Sequence, residues 1–427
     1  MTNKTFSALR GVGARPAELP VLDGVLYGEP HLPPVPAYEL SAALRNAKQP
    51  YVGLTTDGTP LTGLYKLADL DAGHRGAVKA AQSLLAALSD NERMCTQMPL
   101  DSDEWRMWTN AFMMWNAKGI RLERISAVKR ALVLDLIAES LSAEGYESAR
   151  NCMRINGSLG ELIGQYQDTL TEFAYNFLVF GEPNGSDPWG WQLMGHHVDI
   201  NCVFVGSQLV LAPVFLGAEP NFALDGAFAG TRALDLETDR ALDFRRALTP
   251  SQEEAFLLSR TILAQDLPEE LAGPFNGRHM GGAGRDNQVQ PYEGIRASEL
   301  SAEQQRLLLD LVDVYLDRMP RVHAEAKRRH VRDHLDETRF CWRGGHDDVA
   351  AFYYRIHSPV LWVEYDNHPG IFLDNEEPER FHVHTIVREP NGNDYGKDLL
   401  AQHYARHHQP PPPARPPLTA REKERRP

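Results

Sequence analysis

The chain has 427 residues, with 44 Lys plus Arg against 58 Asp plus Glu, a formal net charge of −14. Hydrophobic residues make up 42% and charged residues 24%, an ordinary globular composition whose core needs neither disulfides nor metal to fold. The acidic balance argues against broad binding to nucleic acid or anionic membranes, and no apolar run approaches the roughly 20 residues that span a bilayer.

The start holds one early cation, Lys4, and before Arg10 no apolar stretch of the kind a secretory signal needs. Cys95, Cys152, Cys202 and Cys341 are scattered without a CxxC pair and read as reduced thiols. A cytoplasmic location is expected. Residues 1–60 read as an irregular leader, rich in proline at Pro30, Pro33, Pro34 and Pro36, with a short helix near Glu39–Asn46. A helical part follows over 67–173, where Ile125, Val128, Leu132 and Ile137 approximate one helix face. Trp105, Trp108 and Trp115, with Met107, Met113 and Met114, read as a buried helix or a partner surface, with core favoured. Ser158 and Glu161 have capping-box spacing and predict a helix start.

The period then shortens to two. Tyr175–Phe180, Gly190–Met194, Val198–Val205 and Gln208–Val214 predict strands, making residues 174–216 strand-rich. Thr249, Pro250 and Gln252 predict one helix start, and Ser301 with Gln304 another. Between those helices lies a glycine-rich loop, Gly273–Gln290. Its Gly281–Gly284 lacks the flanking strand and helix of a dinucleotide-binding turn. A second strand-rich part over 350–388 predicts strands at Ala350–His357, Val360–Tyr365 and Arg380–Val387, before a helix near Lys397–His407. Residues 409–427 form a proline-rich basic tail that cannot build a core and is expected to be disordered. The class is α+β: an N-terminal helical region packed on a central mixed or antiparallel sheet.

The chemistry gathers around histidines. On a strand, His382 and His384 share one face, opposite Phe381 and Val383. Paired imidazoles suit Zn, Fe, Cu or Ni, although an isolated HxH is more often structural. A second cluster shifts that balance: His196 stands at the start of a strand on which His197, Asp199 and Asn201 share a polar face. A carboxylate such as Asp199 or Glu364 would complete a three-ligand set. Arg388 is suited to grip an anionic substrate, while Asp394 and Tyr395 could move protons. Arg355 shares a strand face with Tyr353 and could pair with Glu364 or bind substrate. Glu219, before Pro220, is a further candidate.

Several ordered motifs carry a family resemblance. Trp189-Gly-Trp-Gln-Leu-Met-Gly-His-His197, Phe215-Leu-Gly-Ala-Glu-Pro220, Tyr354-Arg355, His384-Thr-Ile-Val-Arg388 and Asp394-Tyr-Gly396 resemble the domain-of-unknown-function family 3500 over roughly Trp105 to His403. The resemblance implies a shared fold and no settled reaction. Its pattern falls on His196, His197, Asn201, Glu219, Arg355, Glu364, His384, Arg388, Asp394 and Tyr395, with His382 inside the motif region.

Together these readings predict a metal-dependent enzyme. His196, His197, His384 and His382 would hold a divalent ion, zinc favoured and iron or copper allowed. Arg388, Arg355 and Asn201 would bind a small anionic or amide-containing substrate, and Asp394, Tyr395 and Glu364 would serve catalysis. Hydrolysis leads, an iron or copper oxygenase or oxidase is the alternative, and a non-catalytic ligand-binding or scaffold protein is the other class. Length by itself allows two or three domains. The motifs span so much of the chain that residues 61–408 are expected to form one interwoven domain.

Overall fold

β-branched and aromatic runs form strands nearly where their patterning places them. The computed structural model describes residues 9, 11–15, 45–111, 118–166, 169–272 and 278–407. Its strands are β1 (Gln97–Met98), β2 (Ile120–Arg121), β3 (Tyr175–Gly181), β4 (Trp189–Gly195), β5 (Val198–Val205) and β6 (Gln208–Ala218). After them come β7 (Leu257–Ser259), β8 (Ile295–Arg296), β9 (Arg339–Gly344), β10 (Phe352–His357), β11 (Trp362–His368) and β12 (Glu379–Arg388). They form one 12-stranded sheet in the order β1-β3-β4-β5-β6-β12-β11-β10-β9-β7, with β2 on β3 and β8 on β9. The sheet is mixed: β1 runs parallel to β3 and β7 to β9, while the central strands are antiparallel. The α+β class expected from sequence is what the chain adopts. The proline-rich tail, Pro30–Pro36, Met113, Met114 and Trp115 lie outside the described residues.

The longer helices are α1 (Arg75–Ala87), α2 (Ala127–Ser140), α3 (Ala143–Ile163), α4 (Asp235–Ala247), α5 (Ala302–Leu316), α6 (Arg321–Asp333) and α7 (Lys397–His407). The start of α5 follows its sequence signal: Ser301 Oγ accepts from Gln304 N at 3.2 Å, and Gln304 Oε1 accepts from Ser301 N at 2.9 Å. Two expected starts are corrected. Ser158 and Glu161 lie inside α3, which begins instead at Ser142, whose Oγ caps Gly145 N at 2.9 Å. The signal at Thr249 opens a single turn, Glu253–Phe256, before the chain joins the sheet as β7. Val128, assigned to a buried helix face, is 71% exposed, and α2 buries Val133, Leu136 and Ile137.

The two sheet faces differ in kind. On one face a register row runs Tyr354, Tyr365, Thr385, Leu216 and Val198 across β10, β11, β12, β6 and β5. Helices cover this face: Thr238 of α4 meets Tyr365 Oη at 2.7 Å, and Trp191 Nε1 donates to Ser140 of α2 at 2.9 Å. A single hydrophobic cluster reaches from Tyr65 to Leu400. The opposite face carries a row of Tyr353, Asp366, His384 and Gly217, and beside it Arg355, Glu364, Ile386, Phe215 and Asp199. At Glu364 a loop covers that polar face. The glycine-rich segment lies directly on it, because Met280 N and Gly281 N donate to the two Glu364 oxygens at 2.8 and 2.7 Å. A Cβ at Gly281 would meet Trp362 Nε1 at 2.9 Å, so only glycine allows that approach. Among the described residues no helix is long and apolar enough to cross a membrane. The four cysteines are free thiols.

Candidate metal centre

Strand alternation and register place the imidazoles together. His382 and His384 project from the polar face of β12, and Asp366 of β11 lies opposite His384. On the other side Gly217 of β6 pairs with His384 and donates its N–H to the His197 carbonyl at 2.7 Å. His197 occupies the two-residue turn between β4 and β5 with φ at +63°, left-handed backbone that non-glycine residues adopt at an energetic cost. Asn110 O holds that turn by accepting His197 N–H at 3.1 Å. A Cβ at Gly217 would come within 3.0 Å of both His197 Cδ2 and His384 Cδ2, so glycine leaves the room the two rings occupy.

The result is a cluster of three nitrogens. His197 Nε2 lies 3.3 Å from His382 Nε2 and 3.2 Å from His384 Nε2, and all three nitrogens fall within 4.8 Å of one another. An ion with M–N bonds of about 2.0–2.1 Å at the tetrahedral angle holds its nitrogens about 3.3 Å apart. The spacing therefore fits a bound ion.

Protonation supports the same fit. His382 Nδ1 donates to Pro369 O at 2.8 Å. A carbonyl oxygen only accepts, so neutral His382 carries its proton on Nδ1 and a lone pair on Nε2. His384 Nδ1 faces Asp366 Oδ1 at 3.2 Å, an electrostatic contact whose angle falls short of a hydrogen bond. That carboxylate favours the proton on Nδ1, which again leaves the lone pair on Nε2. A proton on His197 Nε2 could serve only one of these two lone pairs. Burial, then the neighbouring imidazoles, hold His197 and His382 well below the ordinary histidine pKa, so both are neutral. Burial also lowers His384, against the opposing pull of Asp366.

A second layer orients these rings. Burial alone would raise Asp366, yet His384 and His279 hold it well below the usual carboxylate range. Its Oδ2 bonds His279 Nδ1 at 2.6 Å. Glu219 Oε1 lies 3.8 Å from His382 Nδ1 and accepts the backbone N–H groups of Ile371, Phe372 and Leu373 at 2.9, 3.1 and 3.1 Å. Burial outweighs those donors and pushes Glu219 up to about 7. His279, Asp366 and His384 form a second group whose ligand atoms lie within 4.8 Å of one another.

Other residues expected at the site are placed differently. His196 stacks on His197 with ring centroids 3.9 Å apart, and its Nδ1 meets Asn156 Oδ1 at 2.7 Å, so it borders the nitrogen cluster without joining it. Arg388 is fully buried and gripped from within: Nε by Asp394 at 2.8 Å, Nη1 by Gly281 O at 3.0 Å and Nη2 by Asp286 at 2.5 Å. Tyr395 Oη donates to the same Asp286 oxygen at 2.9 Å and accepts Trp108 Nε1 at 2.9 Å. Arg388, Asp394 and Tyr395 thus form a structural knot with Asp286, and the guanidinium faces no open space. Burial, opposed by Arg388, pushes Asp394 up to about 6.

Glu364 uses both oxygens on the glycine-rich segment, Tyr353 Oη and Trp362 Nε1. Arg355 pairs with Glu293 at 2.5 Å, although its register partner is Glu364. Asn201 accepts Gln192 Nε2 at 2.7 Å and donates to Pro213 O at 2.9 Å, within the sheet. Asp199 is fully buried, neither oxygen has a hydrogen-bond partner among the described residues, and burial pushes it well above its ordinary value.

The sequence places Asp366 on one strand face with Trp362 and Glu364 without assigning it a role, and it gives His279 and His368 no part in the site. The alternation of Glu364, Asp366 and His368 along β11 was a usable signal, but only the pairing of β11 with β12 shows which histidine Asp366 faces. The centre is enclosed, with His197, His382 and His384 exposed by 4%, 0% and 4%. Large clefts of about 550 and 1090 Å³ lie elsewhere, one against His323 and His330 of α6 and one beside Trp189 and α1.

No curated protein and no solved structure matches the chain. A family model does, over residues 71–397, a span that includes every member of the histidine centre. The chain belongs to that family, Protein of unknown function (DUF3500).

Proposed function

We propose that the protein is a metal-dependent enzyme whose divalent ion is held by His197, His382 and His384. One observation carries this reading: two Nε2 lone pairs, fixed by Pro369 O and Asp366, face a third imidazole nitrogen at 3.2–3.3 Å. Buried lone pairs directed at one point repel unless a cation lies between them. Three neutral imidazoles leave the ion its full positive charge and one coordination position open. Zinc bound in this way would supply Lewis-acid chemistry, polarising a carbonyl or activating water.

The proposed reaction is hydrolysis of a small substrate whose anionic or amide oxygen the ion attracts. Enclosure of the centre favours a small one. Neither Arg388 nor Arg355 is assigned a substrate role, because both are engaged within the protein. The three-nitrogen cluster contains no carboxylate, whereas the adjoining His279, Asp366 and His384 group has the two-histidine, one-carboxylate donor set of an iron site, so iron and copper are the redox alternatives.

Metal analysis of the purified protein tests the reading. One zinc per chain is expected, lost in His197→Ala, His382→Ala and His384→Ala while the circular dichroism spectrum is retained. Bound iron or copper with oxygen uptake would shift the chemistry to oxidation. Absence of stoichiometric metal after loading with zinc, copper and iron would refute the centre.

A further inference from the structure

A fourth imidazole stands beside the cluster with an unanswered lone pair. His368 ends β11, is 1% exposed, and donates Nδ1–H to Pro369 O at 2.8 Å. This is the same carbonyl that takes His382 Nδ1 at 2.8 Å. Because that oxygen only accepts, neutral His368 carries its lone pair on Nε2. That nitrogen is buried and has no hydrogen-bond partner among the described residues. The His368 ring lies 4.9 Å from that of His382 and 5.0 Å from that of His384, close to the 4.8 Å between those two. Yet the converging nitrogens belong to His197, His382 and His384. His368 is therefore next to the ion site and not one of its three corners. A buried acceptor without a donor forfeits its hydration for nothing in return, so a donor from the bound ligand would be favoured there.

We propose that His368 Nε2 accepts a hydrogen bond from whatever occupies the ion's fourth position, and so selects ligands bearing O–H or N–H at the coordinated group. Water, hydroxamates and other protic ligands satisfy the lone pair. An aprotic anion such as azide sets a second lone pair against it. The ring cannot adapt cheaply, since moving its proton to Nε2 would turn a bare Nδ1 towards Pro369 O. The inference rests on the three-histidine reading and adds a specificity-determining residue to it.

The test uses the full chain loaded with cobalt, whose visible bands report ligand binding. Azide and acetohydroxamate are titrated into wild type, His368→Leu and His368→Gln. Glutamine keeps a polar, hydrogen-bonding side chain should leucine not fold. In both variants azide is expected to tighten and acetohydroxamate to weaken, changing their affinity ratio by about ten-fold or more. Cobalt affinity, measured by chelator competition, is expected to change by less than ten-fold. An unchanged ratio overturns the proposal, and so does a larger loss of cobalt, which would make His368 a ligand itself. Wild-type protein that takes up no cobalt overturns the three-histidine reading and this inference with it.

Discussion

Replacing Asp286 by asparagine separates the structural knot around Arg388 from the metal centre. Asp286 accepts Arg388 Nη2 at 2.5 Å, Arg106 Nε at 2.7 Å, Tyr395 Oη at 2.9 Å and Asn46 Nδ2 at 3.0 Å. Arg106, Arg388 and Asp286 are all buried. Asparagine preserves the shape, removes the charge and turns an NH2 donor towards groups that also donate. Arg388 keeps the Asp394 carboxylate, whereas Arg106 keeps the Ala47 and Gln49 carbonyls and the face of the Tyr51 ring. Removing one partner of a buried ion pair costs about 3–5 kcal/mol, and Asp286→Asn is expected in that range. Urea unfolding, compared at an unchanged m-value, gives the difference. Metal content should be unchanged, because Arg388 is four residues along β12 from His384, about 13 Å at strand spacing. A loss below about 1 kcal/mol would refute the assignment of a stabilising role to the knot, and loss of metal at full stability would refute its separation from the centre.

Three further outcomes are expected. Gly217→Ala places a Cβ 3.0 Å from His197 Cδ2 and His384 Cδ2, and should weaken zinc binding at least ten-fold by chelator competition, with a stability loss of about 1–3 kcal/mol. Without metal, His197→Gly should be about 1 kcal/mol more stable than His197→Ala in thermal unfolding, because residue 197 has φ at +63°. Burial lowers His323 to about 4 and His330 to about 3, from 6.5 in the unfolded chain. Below 6.5 the unfolded chain therefore binds more protons, so these residues' stabilising contribution is present above that pH and lost as pH falls. Urea midpoints measured between pH 7 and 5 should fall less for His323→Gln than for wild type.

The centre was legible where the chemistry lay within one strand. His382 and His384 could be paired from their spacing alone, since alternation puts i and i+2 on the same face. His197 was found through its cluster, but its strand assignment was wrong: it sits in the turn, and that turn aims it at β12. Arg388 looked like a substrate anchor because its neighbours in sequence are polar. What occupies its guanidinium includes Asp286, 102 residues away, and no local pattern announces that contact. The surroundings of Glu364 are hidden for the same reason, its donors including N–H groups of the glycine-rich segment more than 80 residues earlier. Strands and the α5 cap were readable because their signals are local. The start of α3 was displaced because a capping-box spacing also occurs inside helices.

The loop that carries Pro369 is itself clasped from far away. Gly13 N donates to Asp374 Oδ1 at 2.7 Å across 361 residues, Ala14 bridges Leu373, and Arg15 Nη2 donates to Gly370 O at 2.9 Å. The carbonyl that orients His382 and His368 therefore belongs to a segment tied to the other end of the chain. During synthesis, the hydrogen bonds that Gly13 and Arg15 make to this loop cannot form until positions 370–374 have been made. The imidazoles of β12 appear later still. Assembly of the centre is thus a late event in folding, set by contacts of the longest separation. Protein interrupted before that closure would hold β4 to β6 and His197 with only part of the chelate.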